Sequence, residues 1–123
     1  MDFDAKTEAA VDGAYVVSVM GEADLYSAPS LKRALDGAIE AGGKDIVVDL
    51  TRTTFIDSTA LSVLVEATKR LRPEGGRVAL VCVDQNLVKI FRITALDRLF
   101  PLYESRGEAV RSLAPAGAPD AGS

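Results

Sequence analysis

Between Ala14 and Val83 the chain alternates between short β-branched apolar runs and longer stretches with helical spacing. The runs are Tyr15-Val16-Val17-Ser18-Val19-Met20, Ile46-Val47-Val48 followed by Leu50, and Val78 to Val83. Two segments of helical length separate them. Short apolar runs of this kind read as buried strands. Strands alternating with helices imply right-handed crossovers and a largely parallel sheet. At 123 residues there is room for one such domain and not for two.

The remaining elements fall around this frame. Phe3 to Val11 reads as an edge strand, and Asp12-Gly13 as the turn that folds it into an antiparallel hairpin with Ala14 to Met20. Ser27 is a good N-cap for a helix running to Ala41, with Pro29 in the first turn and Leu31, Ala34, Leu35, Ala38 and Ile39 facing inward. Gly42-Gly43 ends it. Asp45 to Thr51 is the next strand. Ser58 to Arg72 is the second helix, with Leu61, Leu64, Val65 and Thr68 inward and Val63 and Leu71 widening that face. After Val78 to Val83, Asp84 can cap a third helix reaching about Arg92. A possible helical turn before Phe100, a small strand at Leu102-Tyr103 and a short helix from Gly107 to Leu113 complete the domain. From Ala114 onward Ala, Pro, Gly, Asp and Ser offer no core-forming residue, so residues 114–123 read as a disordered tail. The expected fold is α/β in the order β-β-α-β-α-β-α-(β)-α, with four to five strands in a mixed, mostly parallel sheet and a domain spanning residues 1–113.

The residues that are missing limit the chemistry. There is no histidine, which removes His-based triads and His metal ligands. Cys82 is the single cysteine; it sits in an apolar strand, fits a reducing cytosol and reads as core. The net charge of -4 gives no footprint for a nucleic-acid backbone and favours a protein partner with basic patches. No stretch is long and apolar enough for a membrane helix, and the acidic N-terminus does not read as a secretory signal, so the expected location is cytoplasmic. No cofactor or metal is implied.

Two loops carry candidate chemistry. In Phe55-Ile56-Asp57-Ser58-Thr59-Ala60-Leu61 two hydroxyls stand at a helix N-terminus, where free N–H groups and the dipole stabilise an anion, including a phosphate attached to Ser58 itself. The plain alternative is that Asp57 or Ser58 is only the N-cap. In Gly21-Glu22-Ala23-Asp24-Leu25-Tyr26-Ser27-Ala28-Pro29 two carboxylates lead from a strand into a helix. Loops at the carboxyl ends of parallel strands line up, so Asp24 could approach Asp57 and Ser58. The alternative is that Glu22 and Asp24 are solvated turn residues. The pairs Gly42-Gly43 and Gly75-Gly76 lack phosphate-loop spacing and read as turns, and Lys69-Arg70-Arg72 reads as a solvated helix end.

Taken together, in this order and on this alternation, the two loops and the segment Leu87 to Leu96 resemble the STAS family, and within it the bacterial anti-sigma factor antagonists, over residues 4–112. The resemblance implies that Ser58, directly after Asp57, is phosphorylated by an anti-sigma factor that is also a serine kinase. The unmodified chain would bind that factor and free a sigma factor, phosphorylation would block binding, and a serine phosphatase would restore it. Glu22, Asp24, Ser27, Asp57 and Thr59 would frame the partner face. The family's glycine after the hydroxyl pair is Ala60 here, a methyl that could hinder the kinase. The chain would then be a substrate and switch, not an enzyme, with no membrane or nucleic-acid partner. Three rivals stand beside this reading. A receiver-like domain phosphorylated on aspartate would want a lysine after a further strand, which Val83-Asp84-Gln85 does not offer. The other two are closer. One is a signalling-scaffold or regulatory subunit with the same fold. The other is a small hydrolase or phosphotransfer enzyme using Ser58, which would need Asp24, Asp57 or a lysine as base.

Overall fold

The computed structural model describes residues 3–10 and 13–113. Five strands form one sheet in the order β1-β2-β3-β4-β5: β1 Asp4–Ala9, β2 Ala14–Ala23, β3 Asp45–Ile56, β4 Arg77–Val81 and β5 Leu102–Tyr103. β1 pairs antiparallel to β2, and β2 through β5 run parallel. The helices are α1 Ala28–Glu40, α2 Ser58–Leu71, α3 Gln85–Ile93 and α4 Arg106–Ser112, with 3-10 turns at Arg72–Glu74 and Leu96–Arg98. The element order and the mixed, mostly parallel sheet are those expected from the alternation of apolar runs. Residues 114–123, read as a tail, lie outside the described residues, as do Val11 and Asp12 of the expected strand and turn.

The sheet has two unequal faces. Along β2, Val17, Val19 and Ala23 point to the main core with Leu31 and Leu35 of α1, Leu64 of α2 and Phe91 of α3. Each of the Val, Leu and Phe side chains among these, fully buried, contributes about 1.5–3 kcal/mol of apolar transfer. Val16 points the other way and joins Val47, Ala79 and Val81 under Ala109 and Leu113, the contact made by α4. α4 is anchored at its start by Arg106, whose Nε donates to Asp49 Oδ2 at 2.6 Å and whose Nη1 reaches Glu8 Oε2 at 3.3 Å. Between α1 and α2, Asp36 receives Lys32 Nζ at 2.7 Å and Arg70 Nη1 at 2.6 Å. α1 is followed after Ala41 by Gly42, whose φ of +99° is a left-handed value that glycine adopts without strain.

Two expectations need correction. β3 does not end near Thr51; it continues through Ile56. The reason lies in the pairing. From Ser18 to Ala23 β2 advances five residues while β3 advances seven, from Asp49 to Ile56, with register shifts at Ser18/Met20 and Gly21/Glu22. Those bulges break the period-2 alternation on which a strand assignment rests. Gly21, at φ +98°, sits at the second shift. Thr53 is buried there and donates its Oγ1 to the Val19 carbonyl at 2.9 Å, so a polar residue sits inside the strand at no loss of hydrogen bonding. The second correction concerns Ser27. It occupies the position before α1 but is already helical in φ and ψ, and its side chain makes no capping bond.

Candidate functional site

β2 and β3 lie side by side and finish together, Ala23 against Ile56. The two loops that follow therefore start as neighbours. They are joined at Asp57. Its backbone N–H donates to the Ala23 carbonyl at 3.0 Å. Its Oδ1 accepts the Ala60 N–H at 3.1 Å, the N-cap bond of α2, and its Oδ2 accepts the Leu25 N–H at 3.0 Å from the other loop. One carboxylate thus caps a helix and fastens a loop 32 residues away in sequence.

The first loop is also braced from within. Asp24 Oδ1 accepts the N–H groups of Tyr26 and Ser27, each at 3.0 Å. Ser27 Oγ accepts the Asp24 N–H at 2.8 Å and donates to the Glu22 carbonyl at 2.6 Å. Ser27 is buried, so its hydroxyl acts as an internal brace. Asp24 makes these side-chain hydrogen bonds within its own loop and none to Ser58. What connects this loop to Ser58 is the backbone of Leu25, through Asp57.

Ser58 is the first residue of α2 and is exposed. Its carbonyl accepts Ser62 Oγ at 3.0 Å, one turn on. With the Ala60 amide held by Asp57, the amides of Ser58 and Thr59 are the first-turn donors that an α-helix cannot satisfy internally. They lie at the positive end of the helix dipole, where an anion is stabilised. Thr59 is half-buried and faces the groove between α1 and α2, beside Leu35, Val63 and Ala67. Ala60 is 0% exposed within the main core. Its methyl therefore packs into the core and adds nothing to the exposed surface.

The STAS domain family matches residues 6–109.

The chain belongs to the STAS family.

Within that family it groups with the anti-sigma factor antagonists. The anti-sigma-B factor antagonist of Listeria monocytogenes is similar to this STAS chain, 35% identical over 92 residues, or 75% of this chain and 81% of that protein. That of Staphylococcus aureus is 32% identical over 93 residues, covering 76% and 86%. The crystal structure of an anti-sigma factor antagonist from Mycobacterium paratuberculosis superposes with a TM-score of 0.84 over 93% of this chain and 96% of that one, at 29% identity.

Other parts of the STAS domain are chemically quiet. Cys82 is buried, and burial is the main cause that pushes its thiol up to about 11, with the Asp84 charge adding to it; a thiol so protonated is a poor nucleophile. Asp49 is different. Burial alone would raise its pKa, but hydrogen bonds from Thr51 and Arg106 outweigh that and hold the carboxyl below its usual range. This pair has no sequence signature, since its members are 57 residues apart. No helix among the described residues is long and apolar enough to cross a membrane.

Three large apolar side chains around the site are exposed, a feature the sequence does not reveal. Leu25 is 60% exposed, Tyr26 88% and Phe55 47%. Phe55 pairs in register with Glu22, on the sheet face opposite Ala23 and Ile56. The signal was present, in that large apolar residues stand inside a polar loop, but exposure cannot be read from residue type alone.

Proposed function

We propose that Ser58 is the switch of this anti-sigma factor antagonist. Unmodified, the chain binds an anti-sigma factor and releases a sigma factor; phosphorylated on Ser58 by that factor acting as a serine kinase, it lets go, and a serine phosphatase resets it in the cytoplasm. One observation carries the reading. An exposed hydroxyl stands at the first turn of α2, and the residue before it clamps two loops into one face.

The physics supports a switch without refolding. A phosphoryl group adds a charge of about -1.5 to -2 and three strong acceptors. The free amides of the first turn can take those acceptors in place. Release then follows from lost contacts and repulsion at the docking surface, and a hundredfold loss of affinity needs only about 2.7 kcal/mol. Asp24, Ser27 and Asp57 hold the shape of the face, while Glu22 and Thr59 flank it.

The enzyme rival gains no support from this geometry. Asp57 commits both carboxylate oxygens to backbone N–H groups, and Asp24 is turned into its own loop. Neither is set as a base for Ser58. The chain acts by binding.

The test uses each recombinant serine-kinase anti-sigma factor of the source organism with ATP. The expected result is one added phosphate, found on Ser58 by peptide mass spectrometry. Undiminished phosphorylation of Ser58→Ala, or no binding to any of these factors, would overturn the assignment.

A further inference from the structure

We infer that Leu25 and Tyr26 form the apolar anchor that seats the anti-sigma factor, and that the carboxylates beside them contribute little to affinity. The inference rests on the Ser58 reading for the identity of the partner.

Six large apolar side chains are exposed among the described residues: Met20, Leu25, Tyr26, Phe55, Val83 and Ile93. Three of these belong to the two segments that Asp57 ties together. Leu25 gives its own N–H to that clamp. Tyr26 is the next residue and the most exposed of the six. Phe55 lies two residues before Asp57. Ile93, by contrast, ends α3, a full helix length away from the junction where α3 begins.

Rigidity separates an anchor from a loose surface residue. The backbone of Tyr26 is held by Asp24, its neighbour Ser27 by Asp24 and Glu22, and Leu25 by Asp57. A ring presented on a backbone this constrained costs little further backbone entropy on docking, and a preorganised backbone is one source of affinity. Tyrosine is also among the residues enriched at the energetic centres of interfaces.

The neighbouring acids are poorly placed to do the same. Asp57 and Asp24 already accept two backbone N–H groups each. Glu22 remains at the rim, where a charge affects encounter rate and salt dependence more than affinity. The complementary partner surface is therefore an apolar cleft sized for a tyrosine ring and a leucine, opening beside the kinase site that receives Ser58.

The experiment titrates full-length variants by calorimetry against the anti-sigma factor that binds the unmodified chain. Tyr26→Ala is expected to weaken binding roughly thirtyfold, the scale of an interface hot spot. Leu25→Ala should lose about tenfold, Glu22→Gln about twofold or less, and Ile93→Ala, equally apolar but distant, about twofold or less. Tyr26→Phe should bind within about threefold of the parent if ring packing is what matters. Thermal melts of each variant show that a loss is not unfolding; at 88% exposure Tyr26 has little core contact to lose. Parent-like binding by Tyr26→Ala, or a larger loss in Glu22→Gln than in Tyr26→Ala, overturns the anchor. The two readings separate on Ser58→Glu. If it binds as tightly as Ser58→Ala while Tyr26→Ala is weak, the switch falls and the anchor stands. If Ser58→Glu is weak and Tyr26→Ala is normal, the anchor falls and the switch stands.

Discussion

Two strand-to-helix junctions in this STAS domain begin with the same residue type and end in different roles. At both, an aspartate in extended conformation caps a helix: Asp57 before α2 and Asp84 before α3. Asp84 is wholly local, its Oδ1 accepting Asn86 N–H at 2.8 Å and Leu87 N–H at 3.4 Å. Asp57 uses one oxygen for the cap and the other for Leu25 in a separate loop. The difference is set by neighbours. β3 finishes level with β2, so a second loop is within reach of Asp57. β4 stops at Val81, and its outer neighbour β5 has only two residues. A cap becomes part of a site when another segment is there to be held.

The largest effect should separate the junctions by affinity. Ser58→Glu places a negative charge at the first position of α2 and is expected to weaken anti-sigma binding by about a hundredfold, or about 2.7 kcal/mol. Ser58→Ala should bind like the parent. Gln85→Glu makes the matching change at the first position of α3 and should alter affinity by about twofold or less. Calorimetric titration of all three decides it. Equal losses at both junctions would erase the distinction.

The next effect concerns stability. Asp84→Ala removes a cap and should lower unfolding free energy by about 1 kcal/mol. Asp57→Ala removes a cap and a long-range bond to a carboxylate, and should lower it by about 2 kcal/mol. Urea midpoints measure both. Hydrogen exchange sharpens the contrast: the Leu25 amide should lose protection in Asp57→Ala and keep it in Asp84→Ala. Equal protection in the two variants would show that Leu25 does not depend on the clamp.

These junctions also show where sequence reading succeeds and stops. Element order followed from apolar period, because Val47, Val48, Leu64 and Leu80 are buried for the reason they look buried. Asp84 could be assigned as a cap from its position alone. The second partner of Asp57 could not, since the bond to Leu25 exists only after β2 and β3 pair. The same applies to β3 beyond Thr51, where two bulges hide the alternation, and to Asp49 with Arg106. Ser27, before a proline-containing first turn, has the residue type of a cap, but in the fold its hydroxyl is already used inside the loop. The residues of the site were legible as a motif through resemblance, while their division into braces and exposed contacts was a matter of geometry.

Ala60 offers a test of the α2 junction from inside. Its side chain is buried, so Ala60→Gly introduces the glycine that the resemblance implies without changing the surface around Ser58. The expected loss is about 1 kcal/mol of stability from helix propensity. The phosphorylation rate by the cognate kinase should stay unchanged. A faster rate in Ala60→Gly would mean that the methyl restrains the first turn of α2 during phosphoryl transfer.

A third aspartate shows how far the α2 junction is independent of the rest of the sheet. Asp49 lies mid-strand and bonds Arg106 at the start of α4, on the face away from α1 and α2. Its folded-state pKa is lowered, so its contribution is fully present above the unfolded value of 3.8 and is lost as pH falls through the lower, folded value. The window is therefore acidic, below about pH 4, and the neutral range is flat with respect to this group. Arg106 is 43% exposed in its side chain, so solvent screening keeps the pair to less than about 1 kcal/mol. Arg106→Gln should shrink the part of the acid-induced loss that belongs to Asp49, read from urea midpoints between about pH 2 and pH 5. At pH 7 its affinity for the anti-sigma factor should match the parent, because no bond of Arg106 touches either loop at Ser58. An affinity loss in Arg106→Gln with an unchanged melting curve would tie α4 to the switch, and would require the two faces of the sheet to communicate through β3.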